Sequence, residues 1–357
     1  MTGQTRDTAT RWRVLGFASI AALLAALILL PQLLDARPFE LRLVTIVFLY
    51  AVLGHGWNIL GGFAGQTSIG HGMFFGLGAY TSTLLLLEFG ISPWLGMAAG
   101  AAVAAMFGIL IGFPCFRLRG HYFVIATLVV AEIIYQVVAS WDFVGGASGI
   151  SLPMKQAGLS NFQFHRDKTG YYFVALAMLV AATGLVAWLR RSRLGYILQA
   201  IRDDEEAARS LGFSPRRYKL IAMAMSAAIV GVCGVFYAQY VLFIDPPSVL
   251  AVPLSIVIAL IPIFGGVGTV SGPIIGAAVL IPISEYSRVM FSGSGRNVDL
   301  LIFGFLIMAI AVYRPNGVVS ILTAPAVRDL WKRASRLFRS QSKPDDESST
   351  KPLESTV

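Results

Sequence analysis

HYFVIATLVVAEIIYQVV, His121 to Val138, runs for eighteen residues with a single carboxylate, Glu132, and stays free of Lys and Arg through Ser140. A helix of roughly 20 residues crosses the ~30 Å of hydrocarbon in a bilayer, so this stretch reads as a membrane span. The chain around it repeats the pattern. Of its 357 residues 56% are apolar and only 13% are charged, more apolar surface than a soluble core can absorb. Further apolar runs lie near 14–34, 43–61, 68–87, 93–114, 171–189, 219–242, 250–264, 272–291 and 299–313, giving about ten spans. The expected fold class is therefore all-α, a polytopic integral membrane protein.

Short-loop Lys and Arg set the orientation, because they are retained on the cytoplasmic side. With the N-terminus inside, Arg11 and Arg13, Arg117 and Arg119, the loop from Arg190 to Lys219 and the tail from Arg328 to Lys343 all fall inside. Both termini are thus expected in the cytoplasm, whereas an odd span count would place one basic end outside. Segment 141–170, with Lys155, Arg166 and Lys168, falls outside and is the main exception. The net charge of +9 sits mostly in the inner loops, which fits topology and anionic lipid rather than nucleic acid.

Four parts are expected: a cytoplasmic tail over 1–13, a membrane domain over 14–319, a basic helix over 320–340 lying in the headgroup layer, and a disordered tail over 341–357. The apolar run from Val14 is long for a signal peptide and is read as a retained first span. In the 320–340 segment Leu330, Trp331, Ala334, Leu337 and Phe338 share one face, with Arg and Lys on the others. Beyond Gln341 the chain is rich in Ser, Asp, Glu and Pro, with little to bury.

Polar residues inside the spans are the candidates for function. The block from Leu53 to Leu85 contains Asn58, Gln66, Thr67, Ser68, His71 and Tyr80, a density of polar groups that disfavours an acyl-chain environment. Gln66, Ser68, His71, Glu132 and Gln136 are the candidate translocation path, Gln136 lying one turn after Glu132 on the same helix face. The alternative for Glu132 is a structural hydrogen bond to a neighbouring helix. Each intramembrane charge costs ~2.5–3.5 kcal/mol near the bilayer centre, so either role must offset that. Glu285 is near enough to a span end to pair locally with Arg288. Gly61, Gly65, Gly72 and Gly76, with Gly265 and Gly266, are read as sites of close helix packing. Cys115 and Cys233 are read as packing residues. The His residues lack ligand spacing and no Cys or carboxylate cluster joins them, so no metal site is expected.

GGFAGQTSIG (Gly61 to Gly70) and GGVGTVSGP (Gly265 to Pro273) echo one another, each leading into a Gly-rich span on the same side of the membrane. Such an echo arises from a parallel internal repeat or from turn composition alone.

The loop RRSRLGYILQAIRDDEEAARSLGFSPRRYK, Arg190 to Lys219, holds eight Lys or Arg and four Asp or Glu. Leu194, Ile197, Leu198, Ile201, Ala208 and Leu211 recur at helical spacing within it, so it reads as an amphipathic helix that needs a surface. Gly212 is placed to end that helix in a left-handed conformation, and Pro215 to prevent its continuation. No phosphate-cradling Gly-x-x-x-x-Gly-Lys-Ser/Thr motif occurs, so ATP-driven work would need another polypeptide.

Six blocks in order, Gly61 to Thr81, Arg117 to Leu128, Val144 to Ser151, Gly195 to Leu220, Phe264 to Ala277 and Tyr313 to Val319, resemble the permease subunits of bacterial branched-chain amino acid ABC importers, of the type called LivM. The resemblance implies an inner-membrane permease paired with a second permease subunit, two ATPase subunits that hold ATP and Mg, and a periplasmic substrate-binding protein. The chain itself would hold no cofactor and catalyse no reaction. Gly195 to Gly212 is similar to the coupling helix that enters a cleft of the ATPase, with Arg202, Asp203, Glu206, Ala207, Ala208 and Gly212 as the coupling residues. The Glu-Ala-Ala-x-x-x-Gly half of that loop signature is present at Glu206 to Gly212, but the later Ile-x-Leu-Pro half is absent. Val144 stands where relatives commonly have Thr. The substrate implied is a branched-chain or related small amino acid, with urea, amides and aromatic acids as alternatives in the same class. A secondary transporter using Glu132 as its ion site is the rival class, and a scaffold without transport is the third.

Overall fold

The computed structural model describes residues 25–32, 37–118, 120–154, 158, 161–164, 168–291, 304–305 and 318. The expected N-terminal tail, most of the first and tenth spans, the headgroup-layer helix and the C-terminal tail lie outside the described residues. The described chain is mostly helical, and seven of its helices are long and apolar enough to cross a membrane.

Residues 25–32 are helical. The long helices that follow are α1 (Pro38–Asn58), α2 (His71–Phe89), α3 (Pro93–Cys115), α4 (His121–Ser140) and α5 (Thr169–Arg191). Two short helices come next, α6 (Arg193–Asp203) and α7 (Glu205–Ser210), then the long α8 (Pro215–Val241), the single turn α9 (Pro246–Val249), α10 (Val252–Gly265) and α11 (Gly272–Phe291). Most of the apolar runs coincide with these helices to within a few residues, because hydropathy rather than packing sets their ends. Helix α11 carries the expected local pair, Arg288 Nη1 to Glu285 Oε1 at 3.3 Å.

Small residues bring the helices together. Lipid tails are as apolar as the side chains, so close van der Waals contact replaces hydrophobic burial as the driving force. Gly78 of α2 sits against the backbone of Gly231 in α8, and Gly100 of α3 lies against Val235 and Gly78, leaving no space for a Cβ. Gly265 of α10 meets the backbone of Gly272 and Gly276 in the same way. Of the expected packing glycines, Gly72 faces Ser255 of α10 and Gly76 faces Leu250 in the turn before α10. Gly61 makes room for the Trp57 ring of its own helix, and Gly65 lies against Arg202. Gly266 caps α10, its amide donating to Pro262 O at 2.8 Å. Cys115 and Cys233 are buried and free, as packing residues should be.

The outward surface is equally apolar. Leu110 is 65% exposed, and Met106, Ile109, Phe113, Ile125, Val129, Ile133 and Val137 accompany it on α3 and α4. Exposed apolar surface on this scale suits contact with lipid or with another membrane-embedded chain.

Two ends can be told apart. At one, α6 and α7 join α5 to α8. At the other, beyond the far ends of α4 and α8, Ile150–Ser151 and Phe243–Ile244 form a two-residue antiparallel pair with Ile150 opposite Ile244.

Candidate functional site

The loop between α5 and α8 forms two helices where one was expected. Asp204 adopts an extended conformation (φ −153°, ψ 108°), and its Oδ1 accepts from the amides of Glu206 (2.9 Å) and Ala207 (3.0 Å). Such a carboxylate satisfies the otherwise unpaired first amides of a helix and suits its positive end. A break at Asp204 therefore costs little. Helix α6 begins in a similar way: Ser192 Oγ accepts from Gly195 N at 3.2 Å and donates to Leu189 O at 2.8 Å. After α7, Gly212 has φ +87°, and Phe213 N returns to Ala208 O at 3.2 Å. The left-handed stop at Gly212 is as the sequence led one to expect, whereas Pro215, read only as a block to continuation, is the first residue of α8, four residues before the expected span.

Burial sorts the loop into inner and outer faces. Leu198, Ile201 and Ala208 are buried against the membrane helices. Asp203, Glu206, Ala207, Arg209 and Gly212 face outward, and Leu211, which the helical spacing put on the packed face, is 75% exposed. Leu211 lies just past the end of α7, at its C-cap beside the left-handed Gly212, and so leaves the packed face that Ala208 keeps.

Glu205 anchors α7 to α8. Its Oε2 accepts from Lys219 Nζ at 2.6 Å, and its Oε1 from Arg209 at 3.3 Å. The Lys219 side chain is only 6% exposed. Above this pair lies an open groove of about 530 Å³ lined by Gln66, Arg117, Asp204, Glu205, Glu206, Arg209 and Lys219, among others. Gln66 therefore sits with the loop residues rather than within a span. Arg117 and Lys219 were read from the sequence only as topology markers; their part in this groove depends on tertiary placement.

Arg202 turns back toward the membrane domain. Its Nη1 donates to Gly62 O at 3.0 Å, while Nε and Nη2 reach Asp203 Oδ1 at 3.2 and 3.1 Å. Gly62 lies in a π-helical turn, Ile59–Phe63, that ends α1. Asn58 joins the second Gly-rich turn to the same place: its Oδ1 accepts from Gly268 N and its Nδ2 donates to Thr269 O, both at 2.8 Å. The two echoing turns thus meet one another beside α6.

The remaining expected path residues fall in two other places. His71 is buried, its Nε2 2.8 Å from Ser226 Oγ, which in turn donates to Gly56 O at 2.6 Å. That geometry makes Nε2 the protonated nitrogen. Ser68 is also buried; its carbonyl accepts from Trp57 Nε1 at 2.8 Å and its Oγ from Gly70 N at 3.3 Å. Glu132 and Gln136 are bonded to one another at 2.8 Å on the open side of α4. The five candidates do not form one cluster.

Comparison with known proteins fits this architecture. The sequence profile of the family described as "Branched-chain amino acid transport system / permease component" matches residues 40–311. The chain is 32% identical over 309 residues to the high-affinity branched-chain amino acid transport system permease protein LivM of Escherichia coli (strain K12), covering 80% of this chain and 71% of the relative. It is 23% identical to a probable LivM permease of Methanocaldococcus jannaschii over 80% of this chain and 95% of the relative. A LivH permease of Salmonella typhimurium is 25% identical over 77% of this chain and 92% of its own length. No solved structure matches. The matched region runs from the first turn of α1 through α11 and includes the α6–α7 loop, so this multi-pass inner-membrane chain belongs to the permease component family of branched-chain amino acid transport systems.

Proposed function

We propose that the chain is one of two permease subunits in an ATP-driven importer for branched-chain or related small amino acids, with α6 and α7 as the segment that receives a separate ATPase. Two ATPase subunits holding ATP and Mg, a sister permease and a periplasmic binding protein complete the assembly. Ten spans with both termini in the cytoplasm suit the basic loops and leave α6 and α7 on the ATPase side.

The observation that carries this reading is the outward face of α7. Glu206, Ala207 and Leu211 stand out beyond the membrane helices, beside a groove of mixed charge. Outside the membrane, an exposed Leu next to a small Ala and paired charges suits a close-fitting protein partner. Substrate would pass between the two permeases, with Glu132 and Gln136 of α4 at that boundary. ATP-driven closure of the ATPases would move α6 and α7 and so alternate access to the path.

Glu206→Lys combined with Ala207→Trp tests the docking face, because both positions face outward and Ala208, being buried, would report on folding instead. The double variant should insert normally and lose co-purification with the ATPase. Undiminished co-purification would sink the assignment. Proton-driven uptake into vesicles without ATP would sink the importer reading in favour of a secondary transporter.

A further inference from the structure

The two ends of the α6–α7 segment are both jointed. Ser192 before it is extended (φ −84°, ψ 160°) and Gly212 after it is left-handed. A push on α7 is therefore poorly conveyed along the chain into α5 and α8, and sideways ties matter. Glu205 and Lys219 tie α7 to α8. Arg202 ties α6 to Gly62 at the end of α1 by a hydrogen bond, and Gly268 of the α10–α11 turn lies against the same guanidinium.

The seat of Arg202 is built from glycine. At Gly65, with φ +68°, a Cβ would lie 2.5 Å from Arg202 Cγ, and at Gly268, with φ +73°, 3.0 Å from Arg202 Nη1. Its acceptor, Gly62 O, lies in the π-helical last turn of α1, where carbonyls lack helical partners and the helix dipole is negative. A guanidinium is well suited to that position, being always charged and able to bond Asp203 on its other edge. Asn58, one turn before Gly62, holds Gly268 and Thr269 and so joins the α10–α11 turn to the same seat.

We propose that Arg202 is the positioning residue that carries motion of α6 and α7 to the end of α1 and to the α10–α11 turn, so that ATP hydrolysis is converted into opening of the path. This rests on the reading of α7 as the ATPase-docking face. The acid at position 203 and the glycines at 62, 65 and 268 serve to hold the guanidinium in place.

The test uses the complete importer in proteoliposomes, with its binding protein and amino-acid substrate, reading uptake and ATP hydrolysis in the same vesicles. Arg202→Met should leave the complex assembled and hydrolysing ATP while uptake per ATP falls at least tenfold. Arg202→Lys, which keeps the charge and loses the planar fork, should fall between the two. Gly65→Ala keeps Arg202 but crowds its Cγ, and should lower uptake per ATP in the same direction. Unchanged uptake per ATP in Arg202→Met overturns the proposal, as does loss of the ATPase from that variant while Gly65→Ala behaves as the parent. A Leu211→Cys cross-link to the ATPase separates the two readings. Its absence from an intact complex refutes the docking face, whereas its presence with unchanged uptake per ATP refutes the role of Arg202 alone.

Discussion

Lys219 lies in the first turns of a membrane helix with almost no access to water, and Glu205 is what makes that position tolerable. The ammonium is held at 2.6 Å by a carboxylate that is itself about one-third exposed. Removing one partner of a buried pair leaves an uncompensated charge and costs about 3–5 kcal/mol, while replacing both with apolar groups is often neutral. Glu205→Gln should therefore destabilise the detergent-solubilised protein by about 3 kcal/mol. Lys219→Met combined with Glu205→Gln should recover most of that loss, as measured by reversible unfolding in a mixed detergent. If the single and double variants unfold alike, the pair is a surface contact of little weight. The same logic explains why Arg209, on the exposed side of Glu205, matters less: an exposed i, i+4 pair contributes about 0.3–0.5 kcal/mol.

At the scale of elements, α2, α3 and α8 are held by glycines whose loss forces backbones apart. A Cβ at Gly234 of α8 would overlap the Phe75 carbonyl of α2 and lie 3.0 Å from the amide of Ala79. Overpacking of this kind costs about 1–3 kcal/mol, so Gly234→Val should lower the unfolding midpoint. Gly184→Ala in α5 is the matched control, since nothing lies within 4 Å of its Cβ position. It should be neutral or stabilising by up to about 1 kcal/mol, because Ala is the better helix former. Equal losses at both positions would show that chain stiffness rather than helix contact governs the effect. These elements were legible in the sequence as hydropathy runs, but their partners were not, because glycine spacing marks a close approach without naming the helix that approaches. The break at Asp204 had a local signal, an Asp followed by two Glu at a helix start. It was masked by the apolar periodicity running through it. The bond from Arg202 to Gly62 spans 140 residues and exists only once both Gly-rich turns are in place.

At the scale of the molecule, α4 is the span least covered by the described residues, with only Phe123, Thr127 and Ala131 of its side chains buried. Its open side mixes Ile125, Val129, Ile133 and Val137 with the bonded pair Glu132 and Gln136. Acyl chains would not tolerate a half-buried carboxylate there without a penalty of ~2.5–3.5 kcal/mol, and one amide bond replaces only part of its hydration. A sister subunit or a water-filled path against this face removes the conflict; among the described residues Glu132 bonds to Gln136 of its own helix and not to a neighbouring helix. Glu132→Leu should therefore leave membrane insertion of the chain unchanged or improved, with equal amounts in the membrane fraction. Uptake by the assembled importer should fall at least tenfold, and Gln136→Leu should fall less, since it leaves the carboxylate in place. Ile133→Leu, a neighbouring volume-conserving change, should transport as the parent does. Full uptake with Glu132→Leu would mean that the carboxylate faces neither the path nor the partner, and the boundary between the two permeases would then have to lie on another face of the bundle.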